Sequence, residues 1–333
     1  MAGAGSSINA MIESVATSDA SAGALAQATV GAASTRRSPE GPTIAHLVDG
    51  RWHLQHGPID LIIAFDGDAA SRAIAIDRGW QRFKTILVEL MAELPLLRRN
   101  GTRAAQLHSP IAARMAGACW PFHRDFGLYV TPMAAVAGSV AQEVLRCIAV
   151  DGVRRAYVNN GGDIALYLAP AQSYRIGIVA DLDRAVIDGA AIDGAFRIEA
   201  ASAIRGVATS GWRGRSLSLG VADAVTVLAR DAAAADAAAT MIANHVNIDS
   251  PRIVRRAACD VRDQSDLGEI PVTVAVASLR SDEVDAALDN GCQFAQRLLV
   301  AGLIEAAVLL LAGRSRVVAA PSLSSLLPQC ADP

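Results

Sequence analysis

The segment from Asp231 to Val246, DAAAADAAATMIANHV, constrains the fold most, because alanine occupies nearly every face of the helix that it predicts. Side chains this small let a neighbour approach the helix backbone, so we expect close packing against another element. Asp236, Thr240 and Asn244 follow one another at intervals of four residues and form a polar stripe. A carboxylate buried on such a helix requires a partner.

The stripe has two interpretations. A carboxylate and a hydroxyl one turn apart offer two hard oxygen ligands, which suits Mg²⁺ because this ion takes few protein ligands and completes its shell with water and phosphate. Alternatively, the stripe faces solvent on a helix with ordinary capping. The helix alone leaves both interpretations open.

Strand and helix signals alternate along the remaining chain and predict an α/β or α+β fold. Asp49-Gly50 between two alternating runs indicates a β-hairpin. Thr131 is the expected N-cap of a helix that begins with Pro132. One face of this helix carries small residues, and Gly138 would let another element approach its backbone closely.

The stretch AYVNNGGDIAL, residues 156–166, interrupts an apolar strand with a polar loop. Glycine and asparagine tolerate positive φ, so the loop suits a tight hairpin turn. The same glycines would let backbone N–H groups reach a phosphate, and Asp163 would accept from a ribose or ring N–H. A weak internal echo, LLVAGLIEAAVLLLAGR, has apolar residues in place of this loop. If the echo reflects a duplication, one copy alone kept the polar loop, which favours a function there.

A third polar stretch, ATSGWRGRS, spans residues 208–216. Its hydroxyls, free backbone N–H groups and arginines (Arg213 and Arg215) suit a pyrophosphate, and Trp212 would stack on a ring. A solvated loop with scattered arginines accounts for the same residues.

Histidines contribute weaker candidates. His53 and His56 lack further ligands at metal spacing, so we expect structural or surface roles for them. His123, within the run His-Arg-Asp, precedes the helix that begins after Thr131 and would lie near a ligand at its positive end.

Composition excludes several classes. A net charge of −3 gives no electrostatic basis for nucleic-acid binding, and Lys84, the only lysine, follows no glycine-rich phosphate loop. Five cysteines without a CxxC pair argue against a disulfide framework or a zinc site. No signal peptide or membrane span is recognised, so we expect a cytoplasmic protein. Residues 1–42 are expected to be a disordered lead and residues 43–325 a single domain with two pseudo-repeated halves.

The order of the motifs resembles the ApbE family of Mg²⁺-dependent FAD:protein FMN transferases, once named thiamine biosynthesis lipoproteins. A small-residue helix, VNNGGDI, ATSGWRGRS, a VTV strand and Asp-x-x-x-Thr on an alanine-rich helix follow one another within residues 59–246. The whole ordered chain looks like an uncharacterised cytoplasmic ApbE-like subfamily through the phrases HLQHGPIDLII, TPMAAVAGSVA, NNGGDIAL, ATSGWRGRSLSLGVADAVTVLA, ADAAATMIAN and SDLGEIPVTVAV.

The resemblance implies an ApbE-like fold with a T-fold-like, pseudo-repeated core of mixed sheets and packed helices. It implies that Mg²⁺ is held by the side chains of Asp236 and Thr240 and by a backbone carbonyl near Val136. Asp236 and Asp163 become the candidate catalytic residues. The residues implied to contact FAD, FMN or another diphosphate nucleotide are Asn160, Gly161, Gly162, Asp163, Thr209, Ser210, Gly211 and Gly138.

Two segments depart from the family pattern. The usual Lys-Gly of the small-residue helix is Ala137-Gly138, and the usual His-Ile-Ile-Asp-Pro appears as Leu219 to Asp223 without a histidine. Three functions remain open: a Mg²⁺-dependent nucleotidyl or FMN transferase, an enzyme of methanopterin-type one-carbon cofactor biosynthesis, and a non-catalytic ligand-binding module. In each, the expected partner is a small-molecule nucleotide or pterin, and a homo-oligomer is also left open.

Overall fold

The computed structural model of the chain describes residues 11–13, 41–178, 194–214 and 216–320. The strands in these ranges are β1 (Met11–Glu13), β2 (Thr43–His46), β3 (Trp52–His56), β4 (Ile59–Gly67), β5 (Val153–Asn160), β6 (Asp163–Leu168), β7 (Ser173–Ile178), β8 (Gly194–Glu199), β9 (Gly206–Ser210), β10 (Ala224–Ala229), β11 (Ile253–Ala257), β12 (Pro271–Val276), β13 (Ala306–Leu311) and β14 (Arg314–Ala319). The helices are α1 (Ala69–Ala92), α2 (Leu94–Leu97), α3 (Pro110–Phe126), α4 (Val136–Ile148), α5 (Ala232–His245), α6 (Ala258–Val261) and α7 (Ser281–Val300).

A nine-stranded sheet organises the molecule, in the order β14-β13-β10-β9-β6-β5-β4-β3-β2. Every described strand pair is antiparallel, so the fold is of the α+β type and its sheets are not mixed. Short turns join β2 to β3, β3 to β4, β5 to β6 and β13 to β14, and such turns require antiparallel pairing. Smaller sheets are formed by β1-β7-β8 and by β11-β12.

The same connectivity occurs twice in the large sheet. In the first half, strands β3 and β4 pair, helices follow, and the chain returns as β5 beside β4 before β6 completes the unit. In the second half β9 and β10 pair, helices follow, and β13 returns beside β10 before β14. The segments of the internal echo, α4-β5-β6 and α7-β13-β14, occupy equivalent places in this order.

The two faces of the large sheet bury different partners. Alternate residues such as Ala156 and Val158 belong to the main core beneath the helices, whereas Tyr157 belongs to a second core formed with β7 and β8. This alternation follows from the two-residue period of side chains along a strand. The helices therefore cover one face of the nine strands, and the sheet of β1, β7 and β8 covers the opposite face.

Several local predictions are confirmed, and one is refined. Gly50 joins β2 to β3 with a φ of 83°, as the Asp-Gly signal indicates. Helix α5 begins directly after Asp231, as predicted, and the Asp231 side chain caps it by accepting from the N–H of Ala234. At Thr131 the chain enters a short 3-10 turn before α4, and its side chain makes no capping bond. The hydroxyl is used elsewhere, as described below.

The predicted lead and domain end lie largely outside the described residues. Of residues 1–42, the structure describes 11–13, which pair with β7, and 41–42; the predicted boundary at 325 falls beyond residue 320. Among the described helices, none combines the length and apolar character that crossing a membrane requires.

Candidate functional site

A cavity of about 480 Å³ opens where the two halves of the large sheet meet. It is lined by β5 and β6 from the first half, by β9 and α5 from the second, and by the start of α4. Of the predicted site residues, those in its wall are Val136, Asn160, Gly161, Asp163, Thr209, Ser210, Gly211 and Thr240. Segments about a hundred residues apart in sequence thus share one cavity.

The turn between β5 and β6 is a two-residue hairpin loop. Asn160 pairs with Asp163 across it, and Gly161 and Gly162 adopt φ angles of 66° and 109°. Positive φ at both central residues is typical of the hairpin turns that favour glycine. The Gly162 N–H donates to the Asn159 side chain at 2.8 Å, whereas Gly161 lines the cavity. The turn is therefore a hairpin whose outer edge borders the cavity.

Asn160 connects this hairpin to the start of α4. Its side chain is buried, and its Nδ2 donates to the carbonyl of Ala137 at 3.1 Å. The contact holds the hairpin beside the first turn of the helix. It also places Ala137, where the resembling family has lysine, in the cavity wall.

Helices α4 and α5 touch at Gly138. A Cβ at this position would lie 2.2 Å from the carbonyl oxygen of Ala232 and 2.9 Å from Cβ of Asp236. The close approach that the small-residue face predicts is therefore made by α5. Gly138 is not among the described residues that line the cavity, so its predicted ligand contact remains a prediction.

Asp236 lies behind the cavity wall on the same face of α5 as Thr240. Its Oδ2 accepts from the Gly138 N–H at 2.9 Å, which places the carboxylate at the positive N-terminal end of α4. Burial raises the pKa of this carboxyl from 3.8 to about 7, and the backbone N–H donors lower it in part. The backbone N–H groups of Gly138 and Ala137 therefore compensate the buried charge only in part.

The neighbourhood of Asp236 fits a hard cation better than a soft one. Thr240 follows Asp236 by one helical turn, and Val136 stands at the start of α4; both line the cavity. Hydroxyl, carboxylate and carbonyl oxygens are the ligands that Mg²⁺ prefers. In the described part of the chain, no cluster of three or more His, Cys, Asp or Glu residues offers a competing metal site.

Contacts outside the cavity hold the end of β9 in place. Thr209 shares a hydrogen bond with Thr226 across the sheet, with the two hydroxyl oxygens 2.9 Å apart. A Cβ at Gly211 would lie 2.3 Å from the carbonyl oxygen of Asp223, so this strand end tolerates only glycine. Thr209, Ser210 and Gly211 therefore form a rigid edge to the cavity, with Ser210 half-buried there.

Asp223, at the end of the second divergent segment, has a structural contact of its own. Its Oδ2 accepts from the N–H of Ala312 at 2.7 Å and so holds the turn between β13 and β14. This turn, Ala312-Gly313, takes the place of Gly161-Gly162 in the second half, one residue later than the sequence echo aligns it, and also has positive φ at both residues. Leu219, at the start of the divergent segment, lines the cavity.

Some residues singled out in the sequence lie elsewhere. Trp212 and Arg213 are not in the cavity wall; the Arg213 guanidinium lies 5.1 Å from the Trp212 ring centroid. Arg215 lies outside the described residues. His123 contacts Trp120 on α3, and His53 pairs with Asp60 at 2.8 Å across two strands, so neither joins the site.

The sequence interpretation missed one whole wall, formed by the loop between α6 and β12. Residues 262–267 line the cavity together with Arg98, Tyr129 and Thr131. The Thr131 hydroxyl donates to the carboxylate of Asp266, and the Tyr129 hydroxyl donates to its backbone carbonyl at 2.7 Å. The polar run RDQSDLGE between two strands was the available signal, but nothing in it indicates which distant segment it contacts.

A scan against family models matches residues 44–317 to the family described as "AbpE bacteria". The chain belongs to this family. The match covers most of the chain and confirms, at the family level, the ApbE-like resemblance carried by the motifs.

Curated proteins similar to this chain include UPF0280 proteins. That of Methanosphaerula palustris is 45% identical over 141 residues, which are 42% of this chain and 54% of the relative. That of Methanothrix thermoacetophila is 39% identical over 142 residues, again 42% and 54% of the two chains. The chain thus spans about half the length of the curated relatives that it matches.

Among solved structures, the apo form of the flavinyl transferase ApbE from Pseudomonas stutzeri is similar over 86% of this chain and 95% of its own. The identity is 13% and the TM-score is 0.37.

Proposed function

We propose that this chain binds a flavin or related diphosphate nucleotide together with Mg²⁺ in the cavity between the two halves, and that it transfers a nucleotidyl group from this ligand. The main support for the proposal is that residues predicted separately from the sequence lie in the wall of one cavity. The polar turn of β5-β6, the end of β9 and Thr240 of α5 all line one cavity.

The residues proposed to hold the ion are Asp236, Thr240 and the carbonyl near Val136. Mg²⁺ at this place would supply charge neutralisation for a diphosphate. The partly compensated carboxylate of Asp236 supports the assignment, since its raised pKa marks a site where an added positive charge is favourable. Asp236 also orients the first turn of α4 through Gly138.

The diphosphate is proposed to lie against the hairpin and the end of β9. Gly161 and Gly211 let the backbone approach a ligand, and Thr209 and Ser210 offer hydroxyl groups. Arg98 adds a guanidinium to the wall of the same cavity. This combination suits an anionic group better than a purely apolar ligand.

Asp163 is proposed as the general base of the transfer. In this reaction an acceptor hydroxyl oxygen forms a bond to the phosphorus of the FMN moiety, the P–O bond to the AMP portion breaks, and AMP leaves. The hydroxyl proton passes to the carboxylate of Asp163, which lines the cavity at the end of the hairpin.

Calorimetric titration of the purified chain with FAD, with and without Mg²⁺, tests the proposal. We expect Mg²⁺-dependent binding by the natural chain, loss of that dependence in Asp236→Ala, and release of AMP when an acceptor is present. Gly117→Ala, on an open surface of α3, is the matched control. Equal nucleotide binding by Asp236→Ala with or without Mg²⁺ would refute the metal site.

A non-catalytic ligand-binding module is the second candidate, and the cavity itself favours it. Ala137 and Leu219 line the wall where the resembling family carries lysine and the histidine segment. Tight Mg²⁺-dependent binding of FAD without AMP release, over a range of acceptor proteins, would establish this function in place of transfer.

A role in pterin cofactor assembly is the third. UPF0280 relatives include those of Methanosphaerula palustris and Methanosarcina barkeri, and this role is the alternative that the resemblance of the motifs leaves open. A deletion strain that accumulates a pterin precursor would support it, whereas an unchanged pterin profile would count against it.

A further inference from the structure

Asn244 extends the polar stripe of α5 along the cavity wall. It follows Thr240 by four residues, so its side chain lies one turn, about 6 Å, further along the same helix face. Leu217, Leu219 and Met241 line the same cavity.

The orientation of this amide is set by its hydrogen bonds. Asn244 Oδ1 accepts from the Leu219 N–H at 2.9 Å and from the Ser218 hydroxyl at 3.2 Å. A backbone N–H only donates, so the oxygen must face Leu219 and the two protons of Nδ2 must point away from it.

Those two protons have no acceptor within the described part of the chain. Nδ2 is nevertheless not one of the buried polar atoms left without a partner, which among the described residues are His56 Nδ1, Ser139 Oγ and Thr273 Oγ1. The Nδ2 group is therefore accessible, and the accessible space beside Asn244 is the cavity.

We propose that Asn244 is a specificity-determining residue, whose Nδ2 donates to a carbonyl oxygen or ring nitrogen of the ligand's heterocycle. This inference rests on the proposed function and deepens it. Leu217, Leu219 and Met241 give the same cavity apolar lining suited to a ring, and a single oriented donor selects rings with an acceptor on that edge. Flavins and pterins share this chemistry, so the contact identifies the ring and not the phosphates.

Asn244→Asp is the sharpest variant. Aspartate keeps an oxygen that accepts from Leu219 and Ser218, but it replaces the two cavity-facing protons with a second acceptor. Asn100→Asp is the matched control, because Asn100 Oδ1 also accepts from a backbone N–H, that of Val130 at 2.9 Å, and the residue is exposed outside the cavity wall.

Binding is measured by calorimetry with Mg²⁺ and three probes: FAD, 6-hydroxymethyl-7,8-dihydropterin diphosphate and inorganic pyrophosphate, which carries no ring. We expect Asn244→Asp to bind the preferred ring-bearing probe at least about tenfold more weakly, with the affinity for pyrophosphate unchanged and Asn100→Asp like the natural chain. Whichever ring probe loses affinity identifies the heterocycle. If the variant unfolds, 2-thio- and 4-thio-FAD, whose sulfur accepts poorly, test the same contact in the natural chain.

The outcomes are distinguishable. Failure of the natural chain to bind any probe would overturn the proposed function and this inference with it. Binding of FAD or the pterin by Asn244→Asp with natural affinity would overturn this inference alone, as would full affinity of the natural chain for both thio analogues. An equal loss for pyrophosphate would place the contact on phosphate and refute the ring assignment.

Discussion

Gly138 has no Cβ, and for this reason helices α4 and α5 can lie in close contact. The backbone of α5 occupies the space of a Cβ, and the same contact brings the Gly138 N–H within 2.9 Å of the Asp236 carboxylate. One small residue thus determines both the helix packing and the position of the candidate metal ligand.

Gly138→Ala is expected to destabilise the fold by about 1–3 kcal/mol, because the added methyl overlaps the Ala232 carbonyl and the helices must separate. Gly117→Ala, also in a helix but with no atom within 4 Å of its Cβ, should be neutral or stabilising by up to about 1 kcal/mol. Urea unfolding of both variants measures the difference. Equal stabilities would show that the α4–α5 contact is looser than described.

The Asp236 carboxyl should make stability depend on pH. The pKa of this carboxyl in the fold, about 7, lies above its ordinary value of 3.8. The stability that the neutral carboxyl contributes to the fold is therefore fully present below about pH 4 and is lost as pH rises through 7. Without Mg²⁺, Asp236→Asn should therefore be more stable than the natural chain at pH 8, by at most about 4 kcal/mol at ~1.4 kcal/mol per pKa unit.

Thermal melts of both proteins from pH 4 to pH 8 test this expectation. The two melting temperatures should converge towards pH 4, where both side chains are neutral. Parallel profiles across the range would exclude a raised pKa at Asp236.

At the scale of elements, the loop of residues 262–267 closes the cavity through a contact that we name the clasp, formed by Tyr129, Thr131 and Asp266. Both hydroxyls donate to the one aspartate. The position of Thr131 before a helix predicts a capping side chain. Its hydroxyl instead bonds to a residue 135 positions away, because the 3-10 turn that follows makes no use of it.

Thr131→Val should loosen this wall while preserving side-chain shape. Loss of one hydrogen bond, about 1 kcal/mol, should speed amide hydrogen exchange in residues 262–268 by about fivefold, with little change in α5. Thr43→Val, on the edge strand β2, is the control, since its hydroxyl is exposed. Unchanged exchange in the loop would mean that the clasp does not hold it.

Elements with local causes were predictable. The positive φ of Gly50 and of Gly161-Gly162, and the Asp231 cap, each depend on a few neighbouring residues. The clasp was not predictable, because its two partners come from loops far apart in sequence and their meeting depends on how whole helices pack. The same holds for Leu219, whose place beside Asn244 follows from the fold alone.

At the scale of the whole molecule, the cavity lies at the junction of two units with the same connectivity. The large sheet crosses this junction through two residue pairs of β6 and β9, Ile164 with Val207 and Ala165 with Gly206. A Cβ at Gly206 would lie 2.2 Å from the carbonyl of Asp231, so β9 is also pressed against the start of α5. A ligand in the cavity would contact both units.

We expect the two units to unfold together, because they share the sheet and the main core. Far-UV circular dichroism and tryptophan fluorescence should give coincident transitions, since Trp52, Trp80 and Trp120 report on the first half and Trp212 on the second. Gly206→Val should lower both transitions together. Separate transitions for the two probes would show that the halves are independent.

The sequence by itself determined the family, the hairpin turns, the alanine-rich helix and the residue types of the candidate site. These depend on backbone preference, side-chain period and local capping, which act over a few residues. Only the tertiary structure decided that Gly138 faces α5, that residues 262–267 form a wall, and that the Asn244 amide turns its protons to the cavity. Those facts depend on which faces pack together, and packing is a property of the whole chain.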